Sequence, residues 1–246
     1  MQNQFDERTD QSWQQAQPGS VSVPRAARDA GLRSYMLKVY NYMASGVLLT
    51  GITAMLFANS SLFAPVMMSP LRWLVIFAPL AIVFAMSFGV NRMKESTLQM
   101  LFWGFAFLMG LSMSTVFVVF TGQSIAQTFF AVAASFLGLS LWGYTTKRDL
   151  SGMGTFLIMG VVGLFVAMLI NLFLRSTAMN LAISAIGVLI FAGLTAYDTQ
   201  KIKSIYFSVA GHGEAVAKTA VMGALNLYID FINMFLFLLR LFGNRR

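Results

Sequence analysis

The chain has no cysteine and a single histidine, His212. The first absence excludes disulfides, thiolate zinc sites, iron–sulfur clusters and Cys-x-x-Cys redox pairs. The second excludes a His-Glu-x-x-His zinc motif and any multi-histidine metal centre. Charge is scarce too: 11% of residues are Asp, Glu, Lys or Arg, where an ordinary soluble domain has about 25%. That is too little to coat a water-facing surface. Also missing is the apolar core, roughly 7–15 residues long, that a cleavable signal peptide carries near its start. The first apolar span is therefore expected to target the protein and to stay in it.

What is present is grease. Apolar residues make up 57% of the chain, gathered in seven runs at 38–58, 71–90, 98–120, 124–144, 153–174, 178–197 and 221–242. Each is near the ~20 residues with which an α-helix crosses a ~30 Å hydrocarbon core. None shows the alternation of an outer-membrane strand. The expected fold is an all-α membrane protein with seven transmembrane helices over residues 35–246. Residues 1–34, with a Gln/Ser/Pro-rich stretch at 11–24, read as a disordered cytoplasmic tail.

A net charge of +8 could suggest nucleic acid, but in a membrane chain the position of the cations decides. Arg8, Arg25, Arg28, Arg33 and Lys38 precede or open the first run; Arg92 and Lys94 follow the second. Lys147 and Arg148 follow the fourth, and Lys201, Lys203 and Lys218 follow the sixth. The alternate connections carry only Arg72 and Arg175. The positive-inside rule puts the N-terminus in the cytoplasm. Arg240, Arg245 and Arg246 conflict with it, since seven crossings would leave them outside. The last run is long enough to cross, and crossing is expected.

The most informative residue is Asp230, nine residues inside the last run. On insertion scales an Asp at a helix centre costs ~2.5–3.5 kcal/mol. The thirteen Leu, Ile, Phe and Val of this run contribute roughly 4–8 kcal/mol in the other direction. Asn226, Asn233 and Arg240 add cost. Alone, this helix is nearly neutral toward lipid and needs neighbours. Gly223, Asn226, Asp230 and Asn233 share one face by their spacing of 3, 4 and 3, and a polar stripe should look inward. Gluing helices together is the plainer role, but Asn alone would glue without an ionisable cost.

Asp198, just past the sixth run, is either a solvated carboxylate near Lys201 and Lys203 or a partner for Asp230. If the helix continues through Ile202, Thr195 and Asp198 share a face toward the seventh helix. Two acids sharing a site resist ionising together and titrate as a coupled unit, which makes a proton-operated latch available. Carboxylate and amide oxygens are also what Ca²⁺ takes as ligands. Arg92 could compete for one carboxylate, although a positive-inside anchor is the simpler reading. His212 and the Lys147–Arg148–Asp149 cluster read as solvated loop.

Four stretches, in order, resemble the Bax-inhibitor family of membrane proteins, in its bacterial inner-membrane branch. They are Tyr35-Met-Leu-Lys-Val-Tyr40, Gly143-Tyr-Thr-Thr-Lys-Arg-Asp-Leu-Ser-Gly-Met-Gly154, Ala196-Tyr-Asp-Thr-Gln-Lys-Ile202 and Leu227-Tyr-Ile-Asp-Phe-Ile-Asn233. The resemblance spans about residues 33–243. It implies six helices around a central seventh and a pH-sensitive Ca²⁺ leak gated by Asp198 and Asp230. It also implies a cationic partner at Arg92, or none if the register falls on Asn91. The link at 204–219 is longer than the simplest relatives would have. A second function the resemblance implies is regulation of membrane-protein quality control through a membrane protease. An intramembrane enzyme is not expected, because His212 lies outside every run.

Overall fold

A computed structural model describes residues 25–246. Most of the tail expected over 1–34, residues 1–24, lies outside the described residues. Met1–Ser34 and Tyr35–Arg246 form two separate units. The described part of the first, residues 25–34, is helical. Ala26, Ala27 and the interspersed arginines are good helix formers, a propensity that hydropathy does not register.

Among the described residues the order is α1 (Arg25–Ala58), α2 (Phe63–Met67), α3 (Leu71–Gly89), α4 (Glu95–Met113), α5 (Thr115–Val119), α6 (Gly122–Thr145), α7 (Ser151–Leu174), α8 (Thr177–Val209) and α9 (Gly213–Phe242). Helices α4 and α5 form one span, and seven helices are long and apolar enough to cross a membrane. The short helix α2 lies in the first connection. Phe88, Phe156 and Phe173 are exposed, the arrangement expected when acyl chains are the solvent.

Connections are closed by local chemistry. Thr121 Oγ1 accepts from Ser124 N (3.3 Å) to start α6, and Ser176 Oγ accepts from Met179 N (3.3 Å) to start α8. Before α7, Asp149 Oδ1 accepts from Ser151 N (2.9 Å). The Ser151 hydroxyl and N–H together hold the Asp149 carboxyl below the usual carboxylate range. That loop is exposed, as expected.

The last two helices depart most from the apolar runs. Helix α8 continues twelve residues past Tyr197, and α9 begins eight residues before Val221. The long link expected at 204–219 shrinks to residues 210–212, turned by Gly211 at φ 98°. Glu214 and Lys218, one turn apart, pair at 2.9 Å and support the extension. At ~1.5 Å per residue, α8 is roughly 50 Å long and outreaches a ~30 Å core. Lys201, Lys203, Ser204 and Ser208 fall in its last turns.

Helix α9 is the most buried span: 67% of its apolar stretch is buried, against 17–33% in the other six spans. It touches α1 through Tyr228 and Thr50, and α4 through Phe102 and Phe105. Phe129 and Phe136 of α6 pack on Phe231, and Phe191 of α8 stacks on Phe237. Just past it, the chain pairs with the start of α6. Thr121 N donates to Asn244 O (3.0 Å) and Arg246 N to Val119 O (3.0 Å), while Asn244 N donates to Ser124 Oγ (2.9 Å). The C-terminus therefore lies on the same side as the connection between the third and fourth spans. Crossing, not re-entry, describes the last helix.

Candidate functional site

The site begins with how α8 is held. Gly143 of α6 sits against the backbone of Ala196, where a Cβ would collide, and Gly154 of α7 sits against the Tyr197 ring. Between these glycines, Gln200 clasps the loop: its Nε2 donates to Arg148 O (2.8 Å) and its Oε1 accepts from Leu150 N (2.9 Å). Thr199 Oγ1 donates to Ser140 Oγ at 3.3 Å, a second link from α8 to α6. Residues 143–154 and 196–200 are thus one lock, read from both sides, and they fix the rotation of α8 about its axis.

That rotation turns Asp198 toward α9. The register of the antiparallel pair is set on either side, by Phe191 against Phe237 and by Ile202 against Gly223. Between these contacts Asp198 and Asp230 are neighbours across the helix pair. Asp230 is only 3% exposed, and its Oδ2 is buried without a hydrogen-bond partner. Asp198 is half-buried. An ionised carboxylate only accepts hydrogen bonds, so a bond between two of them requires a shared proton.

The cations near this pair stand off. Lys201 acts on Asp198 through space, but its Nζ lies over the Tyr197 ring, 5.8 Å from the centroid. Lys203 Nζ donates to Tyr144 O (2.8 Å). Arg92 is exposed, and the two ion pairs among the described residues are Lys38–Glu95 and Lys218–Glu214. Arg92, read more simply as a positive-inside anchor, takes part in neither pair. It follows the end of α3, where the chain turns back toward α4.

The other expected residues divide. Thr195 is fully buried, but its hydroxyl donates to Phe191 O (2.8 Å) within its own helix. Asn233 is half-buried and donates to Ile229 O (2.8 Å). Asn226 is half-buried as well. The amides flank the stripe, and Asp230 is its centre. Among the described residues no third Asp, Glu or His joins the acids to form a metal-binding group.

Sequence reading missed the neighbouring hydroxyl chain. Tyr228 Oη and Thr50 Oγ1 are 2.7 Å apart, and Thr50 donates to Ala106 O (2.8 Å). This ties α9 to α1 and α4. The available signal was Tyr228 itself, a phenol two residues from Asp230 in an apolar helix that needs a partner when buried.

The family match covers nearly the whole chain. The family described as "Inhibitor of apoptosis-promoting Bax1" matches residues 32–246. An uncharacterized protein of Rickettsia prowazekii is 48% identical over 219 residues, covering 89% of this chain and 92% of its own. One from Caulobacter vibrioides is 45% identical over 241 residues, covering 92% and 96%. The inner membrane protein YbhL of Escherichia coli K12 is 44% identical over 230 residues, covering 92% and 97%. A seven-span helical chain whose match runs from the first span to the last residue belongs to the Bax-inhibitor family of membrane proteins.

Proposed function

We propose that this protein is a proton-gated leak for Ca²⁺, with Asp198 and Asp230 as the latch. Family and fold point to a channel- or transporter-like membrane protein rather than an enzyme. One observation carries the finer reading: the neighbour of the buried Asp230 carboxyl is another acid, not a cation. Structural buried carboxylates are ordinarily paired with opposite charge. An acid pair holds only while a proton is shared.

The sign follows. Raising the pH withdraws the shared proton and leaves two like charges in a poorly solvated contact, which drives α8 and α9 apart. Lowering it restores the latch. Opening also creates two anionic oxygen donors. Ca²⁺ takes about 6–8 oxygen ligands, more than two carboxylates supply, so the ion keeps water and binds shallowly, as transit demands. The positive-inside rule favours a cytoplasmic position for this end, beside Lys147, Arg148, Lys201 and Lys203.

The test is Ca²⁺ flux into dye-loaded liposomes as a function of pH, for wild type and Asp230→Asn. The Asn amide donates to Asp198 without any titrating proton, so the variant should stay closed at every pH. A variant that keeps the wild-type pH profile would refute the latch.

A further inference from the structure

We infer that the opposite end of α9 holds a phosphate-binding site, built from Arg240 and Arg245. It stands independently of the Ca²⁺ reading. The two arginines line a cavity of about 330 Å³ together with Phe120, Thr177, Asn180 and Ser184. Their guanidinium groups are near enough to repel each other. Each is set beside an aromatic face: Arg240 is 5.8 Å from the Phe237 ring centroid and Arg245 6.0 Å from that of Phe120. Neither takes part in the two ion pairs among the described residues.

Arg245 is not on a loose end. Its backbone bridges to Phe120, and the residues on either side of it donate to or accept from residues 119–121. Gly243 packs against Phe120 and Leu239 O with no room for a Cβ. The fold thus spends backbone order to hold a second cation beside the first. Thr177 opens the 33-residue helix α8 at the same cavity, and the positive end of its dipole adds to the field. Three sources of positive potential converge, and no Asp or Glu lines the cavity. An anion in the cavity resolves that conflict.

The geometry favours phosphate over a halide ion. Two guanidinium forks suit an oxyanion with several acceptor oxygens, and the Asn180 side-chain amide offers a further donor. The cavity has room for roughly ten waters, more than a phosphate group needs. Arg240 closes a membrane span, so the phosphate is either that of an anionic lipid headgroup or a free one.

The full-length protein in detergent distinguishes these sources. Native mass spectrometry after incubation with phosphatidylglycerol or phosphatidylcholine reads the lipid arm. The shift in unfolding temperature with inorganic phosphate, against chloride at equal ionic strength, reads the free arm. Wild type should retain phosphatidylglycerol preferentially, and Arg245→Gln should bind it about tenfold more weakly. Arg246→Gln, one residue beyond the cavity lining, should behave as wild type. If only inorganic phosphate acts, and Arg245→Gln abolishes its effect, the site stands with a free ligand. Equal behaviour of wild type and Arg245→Gln toward both probes would overturn the site. Arg245→Lys, which keeps the charge and loses the fork, should fall between the two and guards against a folding artefact.

Discussion

Helix α9 carries an acid near its middle, and Arg240 in its last turn lies close to Arg245 just beyond its end. Asp230 lies about 15 Å along the axis from Arg240 at ~1.5 Å per residue. The acid is buried, sits among interlocked helices and faces another acid. The arginines are exposed, lie against aromatic faces and are positioned by paired backbone beyond the helix. In the proposed function, one proton satisfies the buried like-charge pair and makes it a switch. An exposed like-charge pair calls for a counter-anion, which makes it a binding site.

This contrast predicts that the acid region is intolerant of substitution and the arginine region tolerant. The largest effect should come from Tyr228→Ala, which empties the fully buried ring space beside Phe102 and Phe105. Denaturant titration should show a loss of about 3–5 kcal/mol. Tyr228→Phe removes only the bond to Thr50 and should cost about 1 kcal/mol. Comparable losses for the two would mean that the hydroxyl, not the packing, anchors α9. Next comes Gly143→Val, which forces side-chain atoms into the Ala196 backbone and should destabilise by about 1–3 kcal/mol. Arg245→Gln should leave unfolding unchanged in phosphate-free, lipid-free detergent.

Much of this was legible in the sequence, for identifiable reasons. Seven spans are visible because lipid demands long apolar runs. Asp230 announces itself because its insertion cost needs an explanation, and the structure does bury it. The extents of α8 and α9 were not visible, since Lys201 to Val209 and Gly213 to Ala220 are helical by propensity and pairing rather than by hydropathy. That hid the short link which lets two residues, 198 and 230, meet in register. Thr50 and Tyr228 could not be joined from sequence, being 178 positions apart. The basic C-terminus looked like a topological conflict, and its pairing with residues 119–124 explains how it is held on that side. Arg92 was drawn to the acids by its place at a helix end, but it is exposed and takes part in neither ion pair.

Smaller effects sharpen the comparison further. Asp198→Asn should flatten the pH dependence of Ca²⁺ flux as Asp230→Asn does, because either amide replaces the shared proton. Arg92→Gln should leave both the flux and its pH profile unchanged; a displaced profile would put the arginine back at the latch.

The shared proton is the centre of the account, and infrared spectroscopy of the carboxyl C=O stretch observes it directly. In the wild type a protonated-carboxyl band should fade as the pH rises, in step with the onset of Ca²⁺ flux, and Asp230→Asn should remove that step. Absence of such a band while the protein is closed, or a band that titrates with no change in flux, would contradict it.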